Sequence, residues 1–311
     1  MDSAMWARLA TVVGFMAALM CGCSGQANKT PGVSPGPAGS PYHKVRSPEE
    51  FPAILGAAAD QIEVGEYANI LAKLRAAGLE ALSSDELEGV LYLSHVAFLA
   101  QAETIRYRGH VVDPSGSSPP VDFVAEEIYV VEKQGDVIQP RLLARHWLGR
   151  GISWPVQRLP LLNPQAAYET LESYSFQNDP ALEFGVVTLT LWERRGEGWT
   201  CRSGKDTFDY GLGSMARFYM IGCLVSDSVP QGIGTVDGRP AYELGTRCLG
   251  SEGSDNSPQR YWLDEETLLP RQWEYEDASN TITVTVEEVN GTVDTQPPDV
   301  DITCEEKDFD P

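Results

Sequence analysis

Between Gly234 and Val289 the chain alternates apolar and polar residues with a period of two, and turn residues break the run at short intervals. That pattern admits little except an antiparallel meander. Asp237-Gly238 is the dipeptide of a type I′ hairpin, joining 234–236 to 240–246. Arg260–Asp264 and Leu269–Glu276 flank a turn around Glu265–Thr267, and Asp277–Asn280 turns the chain into Thr281–Val289. A four-residue loop there sets Tyr275 opposite Ile282 and Trp273 opposite Val284, while Glu274 and Glu276 meet Thr283 and Thr281. One face is then aromatic and aliphatic and the other polar, so the sheet is wet on one side and needs a cover on the other.

Helices upstream can supply that cover. Ser47-Pro48-Glu49-Glu50 has a Ser cap, Pro at the first helical position and Glu three residues on, which starts a helix toward Ile62. Tyr67, Ile70, Leu71 and Leu74 share one helical face that Gly78 closes. Ser83 and Glu86 repeat the capping box and open a third helix through about Phe98. From Thr104 the period changes to two, and strands are expected over Ile105–Val112, Val124–Val131, Arg141–Trp147, Gly185–Trp192, Gly198–Arg202 and Arg217–Val225. Ala167, Leu171 and Tyr174 line one side of a short helix expected over Pro164–Tyr174.

The N-terminus reads as an address. Leu9–Met20 is an apolar run after Arg8, too short to span a bilayer comfortably, and it closes on Cys21-Gly22-Cys23-Ser24. The Gly22-Cys23 step after Leu19-Met20 resembles a bacterial lipobox, which implies cleavage before Cys23 and acylation of that residue. Two or three acyl chains on one Cys anchor a protein stably. Eleven of the eighteen residues from Ser24 to Pro41 are Gly, Pro or Ser. They form a tether reaching about 25 Å as a flexible coil.

Four further cysteines remain, Cys201, Cys223, Cys248 and Cys304. Outside the cytosol an even set reads as two disulfides with three possible connectivities. We expect Cys201–Cys223 and Cys248–Cys304, the second pinning an acidic tail that is otherwise solvated. The spacing contains no C-x-x-C and the chain only four histidines, so no metal site and no cofactor is expected. With 23 basic against 45 acidic residues the net charge is −22, which excludes nucleic acid as a partner. Gly211-Leu212-Gly213-Ser214-Met215 lacks the second glycine of a nucleophile elbow, and Gly204-Lys205-Asp206 lacks the spacing of a phosphate loop. His146 beside Trp147 reads as a packed edge, and no catalytic constellation emerges, so the chain is not expected to be an enzyme.

The Val236–Tyr242 hairpin (V-D-G-R-P-A-Y), the Tyr261–Arg271 pair (Y-W-L-D … L-P-R) and the Trp273–Asp277 strand (W-E-Y-E-D) resemble the closing strands of the lipoprotein-carrier superfamily. That group holds LolA- and LolB-like carriers, LppX/LprG-like lipid-binding lipoproteins and RseB-like sensors. The resemblance covers about residues 232–290. It implies an α+β fold in which a curved antiparallel sheet, a half-barrel, packs on N-terminal and inserted helices around an apolar cavity for acyl chains. The expected organisation is a lipoprotein signal peptide over 1–22, a lipidated tether over 23–41 and a helical segment over 42–98. The β-rich half-barrel spans 99–293 with its inserted helix near 164–174, and an acidic tail spans 294–311. Tyr242, Leu244, Trp273, Tyr275, Ile282, Val284 and Val286 are candidate cavity walls, or plain core filled by the N-terminal helices. The function implied is an extracytoplasmic lipoprotein, anchored to a bacterial membrane through Cys23, that binds a lipid or acylated ligand. The alternative is an RseB-like sensor acting on a membrane-protein partner.

Overall fold

The computed structural model describes residues 40–55, 64–113, 115–116, 120–134, 137–150, 167–177, 186–196, 198–206, 226–247, 258–276 and 281–309. Three helices come first: α1 (Phe51–Leu55), preceded by a 3-10 turn, α2 (Val64–Ala77) and α3 (Ser84–Gln101). Each begins or ends where local chemistry demands it. At α3 the Ser83 hydroxyl accepts the Glu86 N–H at 3.3 Å and the Glu86 carboxylate accepts the Ser83 N–H at 2.8 Å, so both capping bonds form. Gly78 at φ 76° ends α2, its N–H donating to the Leu74 carbonyl at 2.8 Å. The α2 face of Tyr67, Ile70, Leu71 and Leu74 is buried as its spacing requires.

Twelve strands follow in one sheet: β1 (Thr104–Val112), β2 (Val121–Gln134), β3 (Val137–Arg150), β4 (Ala167–Gln177), β5 (Val186–Arg195), β6 (Gly198–Asp206), β7 (Ser226–Val236), β8 (Arg239–Arg247), β9 (Pro258–Asp264), β10 (Pro270–Glu276), β11 (Thr281–Val289) and β12 (Glu305–Glu306). Their order is β12-β6-β5-β4-β3-β2-β1-β11-β10-β9-β8-β7, a curved sheet that does not close on itself. All pairs are antiparallel except β12 with β6. The β7–β8 turn has Asp237 at φ 48° and Gly238 at φ 75°, the two left-handed residues of a type I′ hairpin. The β10–β11 register is the expected one, with Trp273 opposite Val284 and Tyr275 opposite Ile282.

Three expectations are corrected. Residues 167–174 are strand β4 and not helix: Tyr168, Thr170, Glu172 and Tyr174 are buried in alternation, and Leu171 lies on the opposite face. The three apolar residues that suggested a helix gave the wrong period because two of the inward residues are polar. Cys201 pairs with Cys304, not with Cys223, while Cys223 and Cys248 lie outside the described residues, as does the strand expected over 217–225. The tail is not a freely solvated terminus. It runs from β11 to the far edge of the sheet, where β12 pairs with β6 at Arg202 and Ser203.

Candidate functional site

The antiparallel register assembles the inner face row by row. One row runs across eight strands through Tyr168, Gly149, Phe123, Gly109, Val284, Trp273, Tyr261 and Leu244. A Cβ built on Gly109 would lie 1.8 Å from the Phe123 ring, so that glycine is the floor on which the ring rests. Phe123 in turn stacks on Trp147 with ring centroids 4.1 Å apart, and Tyr107 meets Trp273 edge-on at 5.7 Å. From above, α3 contributes Leu87, Val90, Leu91, Phe98 and His95, the last edge-on to Tyr261 at 5.2 Å.

Of the candidate wall residues, Tyr242, Leu244, Trp273, Val284 and Val286 all belong to this single core cluster, none more than 6 % exposed. Ile282 is partly buried against it. Tyr275 stands opposite Ile282 in the register, and its side chain lies outside what is described. Sheet and helix residues thus share one continuous apolar core. His95 fits that dry setting: burial lowers its pKa to about 4, and its Nδ1 donates to the Leu91 carbonyl at 2.6 Å.

The neighbouring row carries what the sequence reading missed. Glu127 on β2, Arg145 on β3 and Glu172 on β4 are direct cross-strand neighbours, exposed by 0, 1 and 4 %. Arg145 Nε reaches Glu127 at 2.9 Å and its Nη1 reaches Glu172 at 3.2 Å. Tyr129 donates its hydroxyl to Glu127, and Tyr174 donates to Glu172. Two carboxylates thus share one guanidinium in the interior. Burial pushes the Glu172 carboxyl up, although Arg145 opposes the shift. Burial alone would lower the Arg145 pKa, but Glu172, Tyr174, Glu127 and Tyr129 outweigh it and hold the guanidinium charged. Period two was the available signal, since Phe123, Ala125, Glu127 and Tyr129 must share one face.

On the outer face His146 does not pack as a bare edge. Its Nε2 is 2.8 Å from Glu169, its Nδ1 donates to the Asp294 carbonyl at 2.9 Å, and Glu126 accepts the Asp294 N–H at 3.0 Å. These contacts clasp the start of the tail, and Cys304 on Cys201 clasps its far end. The register row between the two clasps holds Leu171 and Trp192, and Leu171 is 5 % exposed. Cys23 lies outside the described residues.

No protein-family model matches the chain, and no curated protein matches it. Among solved structures, LprF from Mycobacterium bovis is similar at 14 % identity and TM-score 0.43, covering 69 % of this chain and 98 % of LprF. The Mycobacterium tuberculosis lipoprotein LppX is similar at 10 % identity and TM-score 0.42, covering 69 % of this chain and all of LppX. A LolA superfamily protein from Nitrosomonas europaea follows at 11 % identity and TM-score 0.21, covering 68 % and 96 %. At these values the likenesses place no ligand and no functional residue on this chain.

Proposed function

We propose that this chain is a lipid-anchored extracytoplasmic lipoprotein, acylated at Cys23, that binds a lipid or other acylated ligand between its helices and the inner face of its sheet, without catalysis. The observation that carries the reading is the eight-strand inner row from Tyr168 to Leu244, faced by apolar helix residues on an open sheet. The sheet can part from its helical cover without breaking a ladder of hydrogen bonds, because the ladders run only between strands. Ten methylenes taken from water contribute about 8 kcal/mol, which before ordering costs corresponds to a micromolar complex. The 0 % exposure of Leu244, Val284 and Val286 supports a dry lining.

The test is to purify the full chain from membranes and extract it with organic solvent. The extract is then examined by mass spectrometry, the covalent acyl groups staying on the protein. A stoichiometric acyl lipid, lost in Trp273→Ala, is the expected result. Protein that repeatedly emerges lipid-free, and takes up no acyl probe afterwards, would contradict the reading. Cys23→Ser is expected to abolish incorporation of labelled fatty acid.

A further inference from the structure

The tail is held at its two ends and loose between them. Asp294 is fixed over β3 by His146 and Glu126, and residues 305–309 dock on the edge of β6. There the Lys307 and Phe309 amides donate to the Ser203 and Lys205 carbonyls, each at 2.9 Å, and Asp308 accepts the Lys205 N–H at 2.8 Å. Arg202 lies over the Phe309 ring at 3.6 Å, and that ring packs against the core cluster. Gly204 leaves room for the Lys307 carbonyl, which a Cβ would meet at 2.1 Å. Among the described residues, 295–303 form hydrogen bonds only among themselves and with Asp294. The docking contacts therefore depend on which segment arrives, and not on which copy of the chain carries it.

The spacer is longer than its crossing. His146, Leu171, Trp192 and Cys201 are successive partners in one register row. The two clasps thus stand three strand spacings apart, about 14 Å. The ten residue steps from Asp294 to Cys304 reach about 31 Å as polyproline backbone, the form that Pro297-Pro298 favours. Two tight bends take up the surplus: the Val300 N–H donates to the Pro298 carbonyl at 2.8 Å, and the Ile302 N–H to the Val300 carbonyl at 3.0 Å. Val300 and Ile302, at those bends, are 40 and 36 % exposed.

The β6 edge also selects what can lie on it. It presents Arg202 and Lys205 where the tail brings Glu305, Glu306 and Asp308, whereas a second β6 edge would set arginine and lysine against like charges. We propose that two copies of this chain exchange tails, residues 305–309 of each docking on the other's β6 and its Cys304 bonding to the other's Cys201. Every docking contact is kept, as in any exchange of identical elements. In a two-fold pair the straightened spacers run side by side, so Val300 and Ile302 of one copy meet those of the other and leave water. Two disulfides within copies break and two between copies form, with no net oxidation. A small thiol such as glutathione starts the exchange by attacking one sulfur as its thiolate, and it is expelled when the last bond closes. The exchange is independent of whether an acyl ligand enters the interior.

The experiment mixes equal amounts of unlabelled and heavy-nitrogen-labelled full chain in a maltoside detergent with a glutathione redox buffer. The peptide pair joined by Cys201–Cys304 is then weighed by mass spectrometry. Hybrid pairs, one peptide light and the other heavy, are expected, at a share that rises with protein concentration and matches the dimer seen by analytical ultracentrifugation. Val300→Ser with Ile302→Ser alters only the exposed spacer and is expected to lower the hybrid share at least about tenfold, with total Cys201–Cys304 pairing unchanged. Thermal unfolding confirms that this variant folds. Pairs that stay wholly light or wholly heavy at every concentration overturn the proposal. An equal hybrid share in parent and variant, or in a urea-unfolded control, also overturns it, by showing that the link forms without the spacers meeting.

Discussion

The two ends of the sheet solve the same problem with opposite chemistry. From β1 through β11 to β8 the inner face is Tyr107, Val284, Trp273, Tyr261 and Leu244, in one apolar cluster with α3, and the buried Asp264–Arg271 pair stands at the margin of this region, beside the β9–β10 turn. From β2 to β4 the same face carries Glu127, Arg145 and Glu172, as deeply buried and joined by two tyrosine hydroxyls. The apolar end gains stability from area removed from water. The polar end must first recover the desolvation of three ionisable groups, and it does so through hydrogen bonds that fix the register of β2, β3 and β4. Mutations and pH should therefore act on the two ends in different ways.

The largest expected effect is at the polar end. Arg145→Met leaves two buried carboxylates facing each other and is expected to cost about 3–5 kcal/mol by urea denaturation. The triple variant Glu127→Leu, Arg145→Met, Glu172→Leu removes all three charges and is expected to recover most of that loss. A single variant within about 1 kcal/mol of the parent would show that the three groups are not coupled.

The next effect separates the ends by the sign of their pH response. At the apolar end His95 is depressed from 6.5 to about 4, so its contribution is whole above pH 6.5 and lost as pH falls toward 4. A shift of that size corresponds to about 3 kcal/mol. At the polar end the Glu172 carboxyl is raised, so its contribution is present at low pH and lost as pH rises through the folded value. His95→Phe should flatten the acid limb of a stability–pH curve, and Glu172→Gln should flatten the limb above it. Curves unchanged in both variants would break the contrast.

Smaller again is the tail. Cys201→Ser with Cys304→Ser opens a loop of 103 residues and is expected to cost about 2–4 kcal/mol under oxidising conditions and nothing in reductant. Smallest is Gly204→Ala. The Lys307 carbonyl lies 2.1 Å from where that Cβ would stand, so the tail must lift, at about 1–3 kcal/mol. Hydrogen exchange reads it directly, because the Lys307 and Phe309 amides donate to Ser203 and Lys205 and should lose their protection.

The contrast also explains what could be read from sequence. The caps at Ser83 and Gly78, the Asp237-Gly238 turn and the Trp273–Val284 register rest on local chemistry, and local chemistry is written in adjacent residues. Strand β4 was misread because Thr170 and Glu172 point inward, and what makes their burial tolerable stands on β3. The Cys201–Cys304 pairing depends on a tail path set by His146, Glu126 and Gly204, three residues far apart in sequence. The wall residues were legible as a buried face, yet sequence alone could not distinguish a lining from a core. In the structure Tyr242, Leu244, Trp273, Val284 and Val286 lie in one core cluster with the helix residues, and the ligand reading rests on the two layers being separable.

A photoactivatable acyl chain tests that separability most directly. A diazirine-bearing phospholipid is incubated with the full chain, irradiated, and its adducts are mapped by peptide mass spectrometry. Our account predicts adducts on the inner-row strands, at Tyr242–Leu244, Trp273 and Val284–Val286, reduced when an unlabelled lipid competes. Adducts confined to outward-facing residues, or none above a denatured control, would contradict it.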